Sequence, residues 1–258
     1  MKTTIKRELL SLDVLICAIL CTLVLFFLTA TLGSLVKAGR IYMTSVDYLR
    51  LVVRLLAAML SFWTIQAQAI RSAQDYYHGT IYVYMEAYGS RGKYITHRLV
   101  FGFLKSLVIF LPLFLASLYT ASWFSDEGTW LIIQSRQFEF SDLVMRSLWG
   151  VLPQAALLFA CAAAGLLAAH IKPGSTASAV LAATLLWLVS LFMINFQVPG
   201  FAQLALSLQA ALHYEKDASM ILVVIIGSLA GLALGSALAF ATHQLLIQRD
   251  IIWKVNSK

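Results

Sequence analysis

Six stretches of this chain stay apolar for about 20 residues or more, the length at which a helix can cross the hydrocarbon core of a bilayer. They are VLICAILCTLVLFFLTATLGSLV at 14–36, LVVRLLAAMLSFWTIQAQAI at 51–70 and LVFGFLKSLVIFLPLFLASLY at 99–119. The others are LVMRSLWGVLPQAALLFACAAAGLLAA at 143–169, ASAVLAATLLWLVSLFMINF at 177–196 and MILVVIIGSLAGLALGSALAFATHQLLI at 220–247. None alternates with the period of two that a membrane β-barrel requires. The expected fold is therefore all-α: one integral membrane domain over residues 1–258 with six transmembrane helices. Composition agrees, since 60% of residues are hydrophobic and 12% charged, too little polar surface for a water-soluble domain of this size. The first run is longer than a signal-peptide core and no small-residue cleavage site follows it, so it is expected to be a lasting helix.

Six crossings put both ends of the domain on one side. Lys2, Lys6, Arg7, Arg71, Arg91, Lys93, Arg98, Lys172, Arg249, Lys254 and Lys258 fall on that side, against Lys37, Arg40, Arg50, Arg136 and Lys216 on the other. Basic residues favour the cytoplasmic face, so both termini are expected in the cytoplasm. The net charge of +7 is read as orientation. The basic residues form no stripe, and no nucleic-acid partner is expected. At the N-terminus, Ile5, Leu9, Leu10 and Leu12 interleave with Lys6, Arg7 and Glu8, the pattern of an amphipathic helix over 2–12 lying in the membrane interface.

Arg54, Lys105 and Arg146 fall inside the apolar runs. Each is close enough to a run end for its long side chain to reach the headgroups, and Arg54 is the best candidate for a polar role in a path across the membrane. Gln66, Gln68, Gln154, Asn195 and Gln197 join it as candidate path residues. Cys17, Cys21 and Cys161 all sit in apolar runs, and Cys17 and Cys21 share a helix face; small buried residues are expected there, not a metal site. Gly227, Gly231 and Gly235 form a small-residue stripe for close helix packing, against this chain or a second copy. Two semi-apolar pieces, TWLIIQSRQFEF at 129–140 and PGFAQLALSLQAALHY at 199–214, read as interfacial helices or a lid, with Pro199-Gly200 breaking the fifth run.

No catalytic constellation assembles. The chain lacks HExxH and GxSxG motifs, its five histidines show no ligand spacing, and the runs contain no carboxylate of the kind a proton-coupled carrier uses. It also lacks a GxxxxGK[ST] loop, so any ATP-driven work needs a second polypeptide. No catalytic residue, metal or bound cofactor is expected.

Between the second and third runs lies one dense polar insert, QDYYHGTIYVYMEAYGSRGKYITHR at 74–98. Ile81, Tyr84, Met85 and Tyr88 recur at helical spacing, and Gly89-Ser90-Arg91-Gly92 forms a turn. A short aromatic helix with a few charges suits docking into a groove of a soluble partner, because Tyr and Arg are enriched among interface anchors. The order Asp75, Gly79, Glu86, Gly89, Arg91, with Lys105 in the third run, a KREL segment at the N-terminus and LPLFLAS downstream, resembles the permease subunit of type-2 ABC exporters. It is loosely similar to the haem-exporter membrane subunit of cytochrome c maturation. The resemblance implies a coupling helix between helices two and three, with Asp75, Tyr84, Glu86, Tyr88 and Arg91 at the contact. It also implies a cytoplasmic ABC ATPase partner that binds ATP and Mg, a second permease chain alike or different, a bacterial inner membrane with both termini cytoplasmic, and an amphipathic, lipid-like or peptide cargo. The alternative reading is a membrane scaffold that recruits a soluble protein through 74–98.

Overall fold

The computed structural model describes residues 11–124, 131–133, 136–214 and 216–256. In chain order the helices are α1 (Leu12–Lys37), α2 (Ser45–Tyr77), α3 (Thr80–Tyr88), α4 (Arg91–Ala121), α5 (Phe140–Leu148), α6 (Val151–Ile171), α7 (Thr176–Asn195), α8 (Phe201–Ser207), α9 (Ala210–His213) and α10 (Asp217–Asn256). Among the described residues, six helical segments are long and apolar enough to cross a membrane: Leu12–Lys37, Ser45–Tyr77, Arg91–Phe124, Val144–Ile171, Thr176–Asn195 and Asp217–Gln248. The chain is a helical, multi-pass membrane protein. Most of the interfacial helix expected over 2–12 falls outside the described residues.

Two expectations are corrected. In the stretch 129–140, expected as an interfacial helix or a lid, residues 131–133 and 136–138 are strand and not helix. Within it, β1 (Leu131–Ile133) pairs antiparallel with β2 (Arg136–Phe138), in the register Leu131↔Phe138, Ile132↔Gln137 and Ile133↔Arg136. Adjacent β-branched Ile132 and Ile133 favour extended backbone, and the segment is too short to recover helix nucleation. The fourth apolar run is not one helix either. It is broken at Trp149-Gly150, between α5 and α6. Pro153 is the cause: in a continuous helix it could not donate to the Trp149 carbonyl, and its ring would collide with that carbonyl. Placed instead in the first turn of α6, it costs nothing there.

The chain forms two compact units. The first comprises Met1–Leu60, Lys105–Ala155 and Gln203–Leu229; the second comprises Ser61–Leu104, Ala156–Ala202 and Ala230–Lys258.

In the first unit, a chain of hydroxyls ties three helices. Thr29 Oγ1 lies 2.7 Å from Tyr48 Oη, which lies 2.8 Å from Thr120 Oγ1. The Tyr48 ring stacks on Phe124 at 4.6 Å, and Ser45 Oγ donates to the Ala121 carbonyl at 2.8 Å. Thr29, Ser45, Tyr48 and Thr120 thus satisfy their hydroxyls inside the protein, as burial requires. The α8–α9 segment packs inward: Leu204, Ser207, Ala210 and Leu212 are buried. It is built of two short helices whose inner sides are buried in the first unit, while Leu206 and His213 are exposed. A carbon added at Gly227 of α10 would collide with Ser207 and come within 2.7 Å of the Gln203 carbonyl, so this glycine is what lets α10 approach α8.

The second unit is built around α6, whose ACAAAGLLAA stretch at 160–169 leaves little side chain on any face. Ala160, Cys161, Ala162, Ala163, Leu166, Ala168 and Ala169 are all buried. A Cβ at Gly165 would stand 2.5 Å from the Ile65 carbonyl of α2, and one at Gly235 of α10 would stand 2.5 Å from the Phe159 ring and 3.1 Å from Ala160 Cα. Gly231 is buried as well. Gly227 and Gly235 therefore serve packing within this chain. Helix α7 is held to α2 by Trp187 Nε1 donating to Ser61 Oγ at 3.2 Å and Gln66 Nε2 donating to Thr184 Oγ1 at 2.8 Å, with Ala179 and Ala183 buried in the seam.

Candidate functional site

The polar insert folds as the nine-residue α3, set between two glycines in left-handed conformation: Gly79 with φ 68° before it and Gly89 with φ 68° after it. A residue with a Cβ is strained at both points, so glycine is what allows the chain to reverse into and out of a helix this short. Helix α4 then begins at Arg91, well before the apolar run at 99.

Under α3 lies a buried electrostatic lock. Asp75, near the end of α2, is 7% exposed and Arg98 of α4 is 6% exposed. Arg98 Nη2 stands 2.6 Å from Asp75 Oδ1 and 2.5 Å from Oδ2. Tyr94 Oη donates to Asp75 Oδ2 at 2.9 Å, and Thr80, the first residue of α3, donates weakly to Asp75 at 3.3 and 3.4 Å. The Arg98 guanidinium lies 5.0 Å from the centre of the Tyr84 ring and 6.0 Å from that of Tyr94, a cation–π arrangement. Helices α2, α3 and α4 thus meet at one carboxylate. Gln68 extends the tie by donating to the Arg98 carbonyl at 3.0 Å.

The face of α3 that carries Ile81, Tyr84 and Tyr88 points inward, so Tyr84 and Tyr88 are not free for the partner contact expected of them. Ile81 is fully buried beside Tyr94, Ile95, Leu99, Ala162, Ala163, Leu166 and Leu246, and Tyr84 and Tyr88 pack against the same cluster. Tyr88 also rests on His97 at 4.7 Å, and His97 on Phe101 at 4.4 Å. The side chain of Met85 lies outside the described ones. Of the residues expected at a partner contact, Asp75 is buried, Tyr84, Tyr88 and Arg91 are half-buried, and Glu86 is exposed. The outward face is completed by two residues the sequence reading did not single out: Tyr82, 60% exposed, and Val83, 65% exposed. Their signal was available, since they occupy the helix face opposite Ile81 and Tyr84.

The candidate path residues divide between the two units. In the first unit, Arg54 is exposed and donates to Gln209 Oε1 at 3.0 Å, while Gln154 is buried and lines a small cavity. In the second, Gln66 faces α7 and Gln68 faces α4, and Asn195 and Gln197 are exposed at the end of α7, Gln197 with φ 52°.

Arg50, Arg54 and Arg146 of the first unit share a different task. Arg50 donates to the Leu212 carbonyl from Nε at 3.2 Å and from Nη2 at 2.5 Å. Arg146 donates to the Tyr214 carbonyl and pairs with Asp217 Oδ1 at 3.3 Å. Together with Arg54 on Gln209, they clamp the α8–α9 segment, supplying donors to carbonyls that short helices leave free. The expectation that Arg146 and Lys105 reach the headgroups is corrected, since both are buried within the protein. Cys17 and Cys21 are buried with sulfurs 3.9 Å apart, and Cys161 is buried; among the described residues no group of three or more possible metal ligands forms.

The class defined by these features is a multi-pass helical membrane protein with one short, internally anchored helix between two of its spans. Comparison of the chain with models of known families, with curated proteins and with solved structures gave no match.

Proposed function

We propose that this chain is the membrane-spanning permease subunit of an ATP-driven ABC exporter, and that α3 is the element through which a separate ATPase subunit, carrying ATP and Mg, moves it. The observation that carries the reading is the buried Asp75–Arg98–Tyr94 lock beneath α3. A helix that only rested on headgroups would need no such anchor. A helix that must pass a push from a soluble partner to membrane spans does, because a loose lever dissipates the displacement. The outward face of Tyr82, Val83 and Glu86 offers an aromatic anchor, an apolar contact and a charge, the mixture found at the centre of protein interfaces. On this reading Tyr84 and Tyr88 brace the helix from below, and the contact proper belongs to Tyr82, Val83 and Glu86. The termini and α3 then lie in the cytoplasm of a bacterium, a second permease chain completes the path, and the cargo is amphipathic or lipid-like.

The test is capture of the tagged chain from its native membrane with identification of its stoichiometric companions. The expected companion is a soluble protein with a phosphate-binding loop and ATPase activity. Its recovery should fall about tenfold or more in Tyr82→Ala/Glu86→Arg, as expected for loss of about 2 kcal/mol of interface energy. A chain that emerges alone, or with companions lacking a nucleotide site, overturns the permease reading and leaves α3 as the docking point of a scaffold.

A further inference from the structure

The break between α5 and α6 borders a cavity in the first unit. Its walls are apolar, formed chiefly by Leu49, Phe110, Phe114 and Leu212, and a water molecule's centre can range over about 20 Å3 within it. Two side chains differ from the rest of that lining. Ser147 lies just before the break and Gln154 just after it; they are 6% and 1% exposed. Ser147 Oγ and Gln154 Nε2 have no hydrogen-bond partner among the described residues. A buried polar atom left so costs about 1–3 kcal/mol, and two of them on one cavity share a single remedy. A cavity needs roughly 10–15 Å3 of such free space and polar partners to hold a water; this one has both.

We infer that one water molecule occupies this cavity and bridges Ser147 Oγ to Gln154 Nε2, stapling α5 to α6 across the break that Pro153 imposes. The bound species is neutral. An ion would need several charged or carbonyl partners, and the other walls named are hydrocarbon. Water also both donates and accepts, so it satisfies a hydroxyl and an amide in either rotation. Its place fits the rule that interrupted helix at membrane depth persists only where the freed groups are satisfied inside the protein. The inference stands apart from the exporter reading.

Brief X-ray radiolysis of the purified full-length protein tests it, because hydroxyl radicals form wherever water sits. Phe110 and Phe114 are each 3% exposed and line the cavity, whereas Tyr94 is fully buried in the second unit. With the water present, both phenylalanines gain oxygen during exposure while Tyr94 does not. In Ser147→Ala/Gln154→Leu, which removes both polar partners, that oxidation falls by an order of magnitude while exposed Tyr119 is oxidised as before. Phe110 and Phe114 left intact in the unaltered protein, or oxidised equally in the double variant, overturn the inference. The comparison with Tyr94 in the unaltered protein decides the matter even if the variant does not fold.

Discussion

Asp75 shows what a single carboxylate can organise when it is buried. It accepts from Arg98 and Tyr94 and receives Thr80 at the start of α3, so removing it leaves a buried guanidinium uncompensated. Asp75→Ala is expected to lower stability by about 3–5 kcal/mol, and Tyr94→Phe by about 1 kcal/mol, both read from thermal or denaturant unfolding in detergent. An Asp75→Ala protein as stable as the parent would remove the lock from the account. Glycines give a second contrast at this scale. Gly165→Ala forces a methyl to within 2.5 Å of the Ile65 carbonyl and should destabilise by about 1–3 kcal/mol through overpacking. Gly33→Ala meets nothing within 4 Å and should be neutral or stabilising by up to about 1 kcal/mol through helix propensity.

Among the elements, α3 separates anchoring from contact. Ile81, Tyr84 and Tyr88 face the protein, Tyr82, Val83 and Glu86 face away. Tyr84→Ala should therefore reduce thermal stability, while Tyr82→Ala should leave it unchanged and weaken partner capture. The reverse pattern would contradict the assignment of faces. Part of α3 was legible beforehand: the spacing of Ile81, Tyr84, Met85 and Tyr88 predicts an amphipathic helix and Gly89 a turn after it, but Tyr84 and Tyr88, expected at a partner contact, pack against the protein instead. The role of Asp75 was not legible, because its partner Arg98 is 23 positions away and only the packing of α2 against α4 brings them together. The α8–α9 segment makes the same point. Leu204 and Ala210 look suited to an interface, yet they are buried, and Arg50 and Arg146 from elsewhere in the fold donate to the Leu212 and Tyr214 carbonyls. Arg146→Ala should release that clamp, seen as faster proteolysis within 199–214 in detergent, whereas Arg54→Ala, at an exposed bond, should change it little.

For the whole molecule, six crossings place Ser90 and Lys172 on one side of the membrane and Arg40 on the other. All three positions are exposed, and the native Cys17, Cys21 and Cys161 are buried, so background thiol labelling is low. With an impermeant reagent applied to sealed cells, Arg40→Cys is expected to label, and Ser90→Cys and Lys172→Cys only after the cells are opened. The opposite result would invert the orientation read from basic residues, and with it the cytoplasmic placement of α3.

The sequence alone determined the architecture of helical spans, because hydrocarbon leaves a chain no choice but to satisfy its backbone internally over about 20 residues at a time. Local periodicity likewise marked α3 as amphipathic, but not that Tyr84 and Tyr88 turn toward the protein. The tertiary structure decided which charges are structural. Whether an arginine in an apolar run reaches for headgroups, lines a path or clamps a loop depends on which carbonyl or carboxylate another helix brings within about 3 Å, and no local pattern encodes that distance. It also turned Pro153 from an unremarked residue into the cause of a helix break, and only in three dimensions do Ser147 and Gln154, on either side of that break, line one cavity.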